Sequence, residues 1–117
     1  FDWEDASAEH PELYDAVCLL LGVSKARSRD WRQALVEPFT GTGRLAQELA
    51  AALREHSDAL GLARSEVPRL VLACLDHRVA REEERAAAGR MPPGTFTEPW
   101  RAAAAALRAE GYRAWSA

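Results

Sequence analysis

Long apolar runs are missing from this chain. No stretch approaches the roughly 18 consecutive apolar residues of a membrane-spanning helix. No basic segment followed by an apolar one opens the sequence, so it predicts neither a membrane span nor a signal peptide and points to a cytoplasmic protein. Apolar and polar residues do not alternate over any useful length and β-branched residues are sparse, which leaves strands without support except around Gly111 to Trp115. Cysteine is scarce: Cys18 and Cys74 each sit inside an apolar helical run and read as small buried hydrophobes rather than a disulfide framework. No initiator methionine precedes Phe1, and the expectation is a piece of a longer protein or complex.

What is present suits one small helical domain. A chain of 117 residues that is 48% hydrophobic can bury a single core and is too short for two. A net charge of -3 argues against a generally basic nucleic-acid binder. Heavy use of Ala and Arg is the coding signature of a GC-rich genome and hints at a bacterium.

The stretch from Ser65 to Gly89 organises the rest. Ser65 is placed to cap a helix, Glu66 and Pro68 suit its first turn, and Gly89 suits its C-terminal stop. Leu70 to Leu75 is apolar on every side and is expected in the core, with Leu70, Val71, Cys74 and Leu75 nearly fully buried. From Arg78 to Arg90 the sequence is charged or Ala, with Arg78–Glu82 and Arg81–Glu84 at ion-pair spacing, so this half is expected to face solvent or a partner. Around it, Pro11 starts a helix that ends at Gly22, with Leu13, Val17, Leu20 and Leu21 on one stripe. Ser24 or Ser28 caps a second helix that Pro38 ends near Glu37. A third places Leu45, Leu49 and Leu53 four apart. After Met91 to Gly94, Thr97 caps the last helix with Phe96 and Trp100 as a hydrophobic staple, Gly111 stops it, and Tyr112 and Trp115 pack back. The fold class read from this is all-α: a compact five- or six-helix bundle, residues 1–117 as one domain, around one central long helix at about 66–88.

Catalytic and cofactor chemistry finds no pattern. Thr40-Gly41-Thr42-Gly43-Arg44 resembles the end of a phosphate loop, but lacks the Lys-Ser/Thr pair and a preceding strand, and reads as a helix start. Glu9-His10, Glu55-His56 and Asp76-His77 are adjacent pairs that diverge on a helix, which is not metal-ligand spacing. No catalytic residue, no cofactor and no metal site is therefore assigned. Leu21, Gly22, Val23, Ser24 and Trp31, within Leu19 to Trp31, are similar to the centre of the phage-repressor type of helix-turn-helix, although Ser28 stands where that pattern wants an apolar residue. The resemblance implies DNA binding through the 16–32 segment, with Lys25, Arg27, Arg29 and Arg32 edging a recognition helix.

Charge layout favours a different class. Residues 1–24 carry acids, among them Asp2, Glu4 and Asp5, with no Lys or Arg, whereas residues 25–32 carry Lys25, Arg27, Arg29 and Arg32 against Asp30. Opposed acidic and basic faces let a bundle pair with another protein or with itself. The expectation is a non-enzymatic interaction or adaptor domain whose partner-binding residues are those seven and Glu82, Glu83 and Glu84, with helix-turn-helix DNA binding as the alternative.

Overall fold

The computed structural model describes residues 13–27, 30–89 and 97–116. Six helices and no strand occur among them: α1 (Tyr14–Ala26), α2 (Trp31–Thr40), α3 (Arg44–Ala59), α4 (Val67–Ala87), α5 (Thr97–Glu110) and α6 (Arg113–Ser116), with a 3-10 turn at Arg64–Glu66. The all-α reading holds, and the long helix lies where its apolar and charged pattern placed it. The segment around Gly111 to Trp115 is helical rather than extended. Pro11, Ser28, Arg29, Met91 to Gly94 and Phe96 lie outside the described residues, as do Asp2, Glu4 and Asp5.

In α1, Tyr14, Val17, Leu21 and Ser24 form the buried stripe, while Leu20 is only half-buried at its edge. Leu13 caps the helix with φ 74°, a left-handed conformation that L side chains rarely hold, and its side chain is anchored in the core. Gly22 does not end α1. A mid-helix glycine costs about 1 kcal/mol against Ala without breaking the ladder, and the helix continues to Ala26 with Ser24, two residues further, buried against α2.

That contact explains a second departure. Pro38 was expected to terminate α2, yet α2 runs to Thr40 with Pro38 inside it and buried. Proline has no N–H to offer the carbonyl four residues back, which is Ala34. The Ser24 hydroxyl of α1 donates to that same Ala34 oxygen at 2.7 Å, so the missing rung is supplied from the neighbouring helix. The cap of α2 is neither Ser24 nor Ser28 but Asp30, whose Oδ1 accepts from the backbone N–H groups of Arg32 (2.9 Å) and Gln33 (3.4 Å).

α3 buries Ala46, Leu49, Ala50, Leu53 and Ser57 on one face. It closes in a Schellman motif: Leu62 N–H bonds Ser57 O at 3.0 Å, Gly61 N–H bonds Asp58 O at 3.0 Å, and Gly61 takes φ 74°. Gly89 takes the matching position after α4 with φ 75°, as its place in the sequence predicts. Ser65 does not cap α4; it lies in the 3-10 turn, and Glu66 occupies the cap position without a side-chain bond to the helix backbone, its carboxylate meeting Arg69 instead.

The core joins all six helices. α5 lies between α2 and α4, its small Ala103 and Ala104 buried beside Trp100 and Leu107. On α4, Val67, Val71, Cys74 and Leu75 are buried, but Leu70 and Leu72 are only half-buried and Ala73 is exposed, so the apolar run shows one face to the core and not all of them. Tyr112 stacks edge-on against Phe39 at 5.3 Å. The Trp115 indole N–H donates to Arg64 O at 3.0 Å while the Arg54 guanidinium lies 5.1 Å from its ring, which ties α6 to α3 and the 3-10 turn.

Candidate functional site

The basic residues predicted at 25–32 do not share a helix. Lys25 is in the last turn of α1, Arg27 is the residue that caps it, and Arg32 is in the first turn of α2. Arg27 reaches Glu48 of α3 at 3.4 Å, and Arg32 lies 3.9 Å from Glu98 of α5, so both arginines meet acids of the same molecule. The helix-turn-helix geometry is not formed. Leu21 to Ser24, where the turn should begin, is continuous helix, Ser24 faces the core instead of opening a recognition helix, and the next helix starts only at Trp31.

The charged half of α4 also departs from expectation. Glu82 falls seven residues after Leu75, on the same stripe, and is 1% exposed. Its Oε1 accepts from Arg78 at 2.7 Å and lies 3.7 Å from Arg85, and both arginines are largely buried. Glu82 is thus an internal counter-ion and not a residue offered to a partner. Glu83 and Glu84 are exposed: Glu83 pairs with Arg101 of α5, and Glu84 lies 3.7 Å from Arg81. Asp76 pairs with Arg108, so a row of bridges fastens α4 to α5.

Beside Glu82, the Arg78 guanidinium lies 4.9 Å from the centre of the Trp100 ring, and Tyr14 meets His77 edge-on at 4.8 Å. Burial works against the Arg78 charge, but the Tyr14 hydroxyl and the Glu82 carboxylate outweigh it and hold the guanidinium above its ordinary value. Burial, with Cys18 and Asp15 adding to it, pushes the neighbouring Cys74 thiol up to about 12, so it is not a nucleophile near neutral pH. Among the described residues no three His, Cys, Asp or Glu side chains converge as metal ligands would. What this cluster does is join α1, α4 and α5.

The outer side of the molecule is different. α1 carries a second apolar stripe, Ala16, Leu19, Leu20 and Val23, of which Ala16 and Leu20 pack partly against the core while Leu19 is 70% exposed and Val23 38%. α3 runs antiparallel beside it, and between the two lies a groove of about 360 Å³ lined by Asp15, Ala16, Leu19, Leu20, Ala52 and His56. The Arg27–Glu48 bridge crosses from α1 to α3 beyond Val23, and Asp15 and His56 stand toward the other end. Leu20 lines both this groove and a second, apolar pocket of about 10 Å³ that it shares with Val17, Leu21 and Phe39.

No protein-family model, curated protein or solved structure matches the chain. Its site therefore stands on geometry alone. The sequence pattern places Leu13, Val17, Leu20 and Leu21 on one stripe of α1 and assigns Leu19 and Val23 to no surface. A helix with one buried face can place only part of the run Leu19-Leu20-Leu21 inside, and the spacing of Ala16, Leu19, Leu20 and Val23 was the signal that a second face exists. Among the described residues no helix is long and apolar enough to cross a membrane, so that second face is not part of a span.

Proposed function

We propose that this domain is a non-enzymatic interaction module and that the α1–α3 groove is where it receives its partner. One observation carries the reading: Leu19, 70% exposed, stands with Ala16, Leu20 and Ala52 in a concave site between α1 and α3, and Val23 continues the apolar strip one turn on along α1. Scattered exposed leucines need no explanation, whereas contiguous strips edged by polar groups mark surfaces that are covered in use. The exposed ion pairs of the rest of the surface contribute little affinity by themselves, and they set orientation. The setting we propose is the cytoplasm of a bacterium, as part of a larger protein or complex. Cys18 and Cys74 forming no disulfide, and the Ala- and Arg-rich composition, support that setting.

A photo-reactive amino acid at position 19 of the protein, expressed in the cells that make it, tests the reading. It is expected to give a discrete protein adduct, and the same residue at Ala105, an exposed position on α5, to give none. Equal adducts at both positions, or none at 19, would end the proposal.

A further inference from the structure

We infer that the occupant of the α1–α3 groove is a basic amphipathic helix; this rests on the interaction reading above and names the chemistry of the partner. Asp15 lines the groove, and Glu55 stands on α3 between the lining residues Ala52 and His56 in sequence. Asp15 on α1 and Glu55 on α3 are both exposed, and among the described residues neither has an ion-pair or hydrogen-bond partner. Elsewhere Asp58, Asp76, Glu83 and Glu98 each face an arginine of this chain. Among the described residues, Asp15 and Glu55 are exposed carboxylates left over close to apolar surface. Arg27, which follows α1 beyond Val23, is held at the bridge to Glu48.

The shape selects a helix. Two antiparallel helices with an apolar seam present ridges that a third helix can lie along, reading it through anchors at i, i+3, i+4 and i+7. From Asp15 to Val23 the seam spans about 12 Å at the helical rise, so the occupant's anchored part is about two turns long. Apolar residues of that helix would sit over Leu20 between Leu19 and Ala52, and Lys or Arg on its flanks would meet Asp15 and Glu55. His56, next to Glu55, offers a further polar contact at the open end. An acidic helix would set like charge against like at both rims, and that repulsion is what gives the groove its selectivity.

The test uses the whole chain and three synthetic peptides: an amphipathic helix of Leu and Lys, its Leu and Glu counterpart, and a Leu and Lys peptide of the same composition in scrambled order. The amphipathic Leu/Lys peptide is expected to bind with amide shift changes confined to Ala16, Leu19, Leu20, Val23, Ala52 and His56. The Leu/Glu peptide should bind about tenfold more weakly, the size that two exposed ion pairs supply, and the preference should shrink as salt rises. Asp15→Asn with Glu55→Gln should erase the difference between the two, and Leu19→Ser, at an exposed position that leaves the fold intact, should weaken both. Equal affinity for the Lys and Glu peptides, or equal binding of the scrambled one, would overturn the inference. So would a concentration-dependent dimer that Leu19→Ser abolishes, since the occupant would then be a second copy. An acidic or extended partner segment in the adduct at position 19 would overturn the helix assignment while leaving the interaction reading standing.

Discussion

Ser24, Ala34 and Pro38 form a three-residue arrangement in which each explains the others. The Ala34 carbonyl is buried, Pro38 cannot donate to it, and the Ser24 hydroxyl does. Ser24→Ala leaves that oxygen without a donor and is expected to cost about 1–3 kcal/mol in chemical denaturation. Pro38→Ala restores a backbone N–H at the right position, so Ser24→Ala should cost less in that background than in the wild type. Strictly additive losses in this cycle would show that the two residues do not share the carbonyl. Cys74 and Tyr112 make a second case. Burial raises both to about 12 from ordinary values of 9.0 and 10.0. The unfolded chain therefore gives up these protons first, and the stability they contribute is complete below the ordinary values and is lost as pH rises toward the folded ones. The denaturation midpoint is expected to fall between about pH 9 and pH 11, and to fall less in Cys74→Ala. A flat profile through that window would contradict the burial of these groups.

At the scale of elements, α4 shows how a pattern can be read correctly and then misassigned. Its existence, its length and its division into an apolar and a charged half follow from spacing and terminal residues. The error lay in treating charge as exposure. Glu82 is on the same face as Val71, Cys74, Leu75 and Arg78, and helical periodicity carries that face inward whatever the side chain; the cost is met by Arg78 and Arg85 around one carboxylate. Hydrogen exchange on the isolated domain is expected to show slow amides from Arg81 to Arg85 and fast ones only from Ala87 to Gly89. Rapid exchange throughout Arg81 to Arg85 would restore the picture of a free, solvated half. α2 was less legible. Its cap is Asp30 and neither of the two serines the sequence offers, and a bond from another helix neutralised the stop at Pro38, which no local rule can show. The groove was least legible, because it needs α3 beside α1, and the spacing within α1 does not say which helix lies next to Leu19.

Considered whole, the molecule is about as compact as a folded domain of its length usually is. Its radius of gyration is 13.7 Å, against about 13.4 Å expected for a single folded domain of this size. A bundle of ordinary compactness has little reason to leave Leu19 outside for want of packing. The arrangement of charge agrees: bridges tie α1 to α3, α2 to α5 and α4 to α5, and the acids at Asp15 and Glu55 stand apart from that network.

The bond between Ser24 and Ala34 also sets an order of events. A helix of ten residues is too short to hold in water by itself, and α2 additionally lacks one rung of its own ladder. It can complete its hydrogen bonding only against α1, so the pair should open and close as one cooperative unit. Because α1 is the earlier in the chain, it leaves the ribosome first, and α2 emerges onto a template that already carries the hydroxyl it needs.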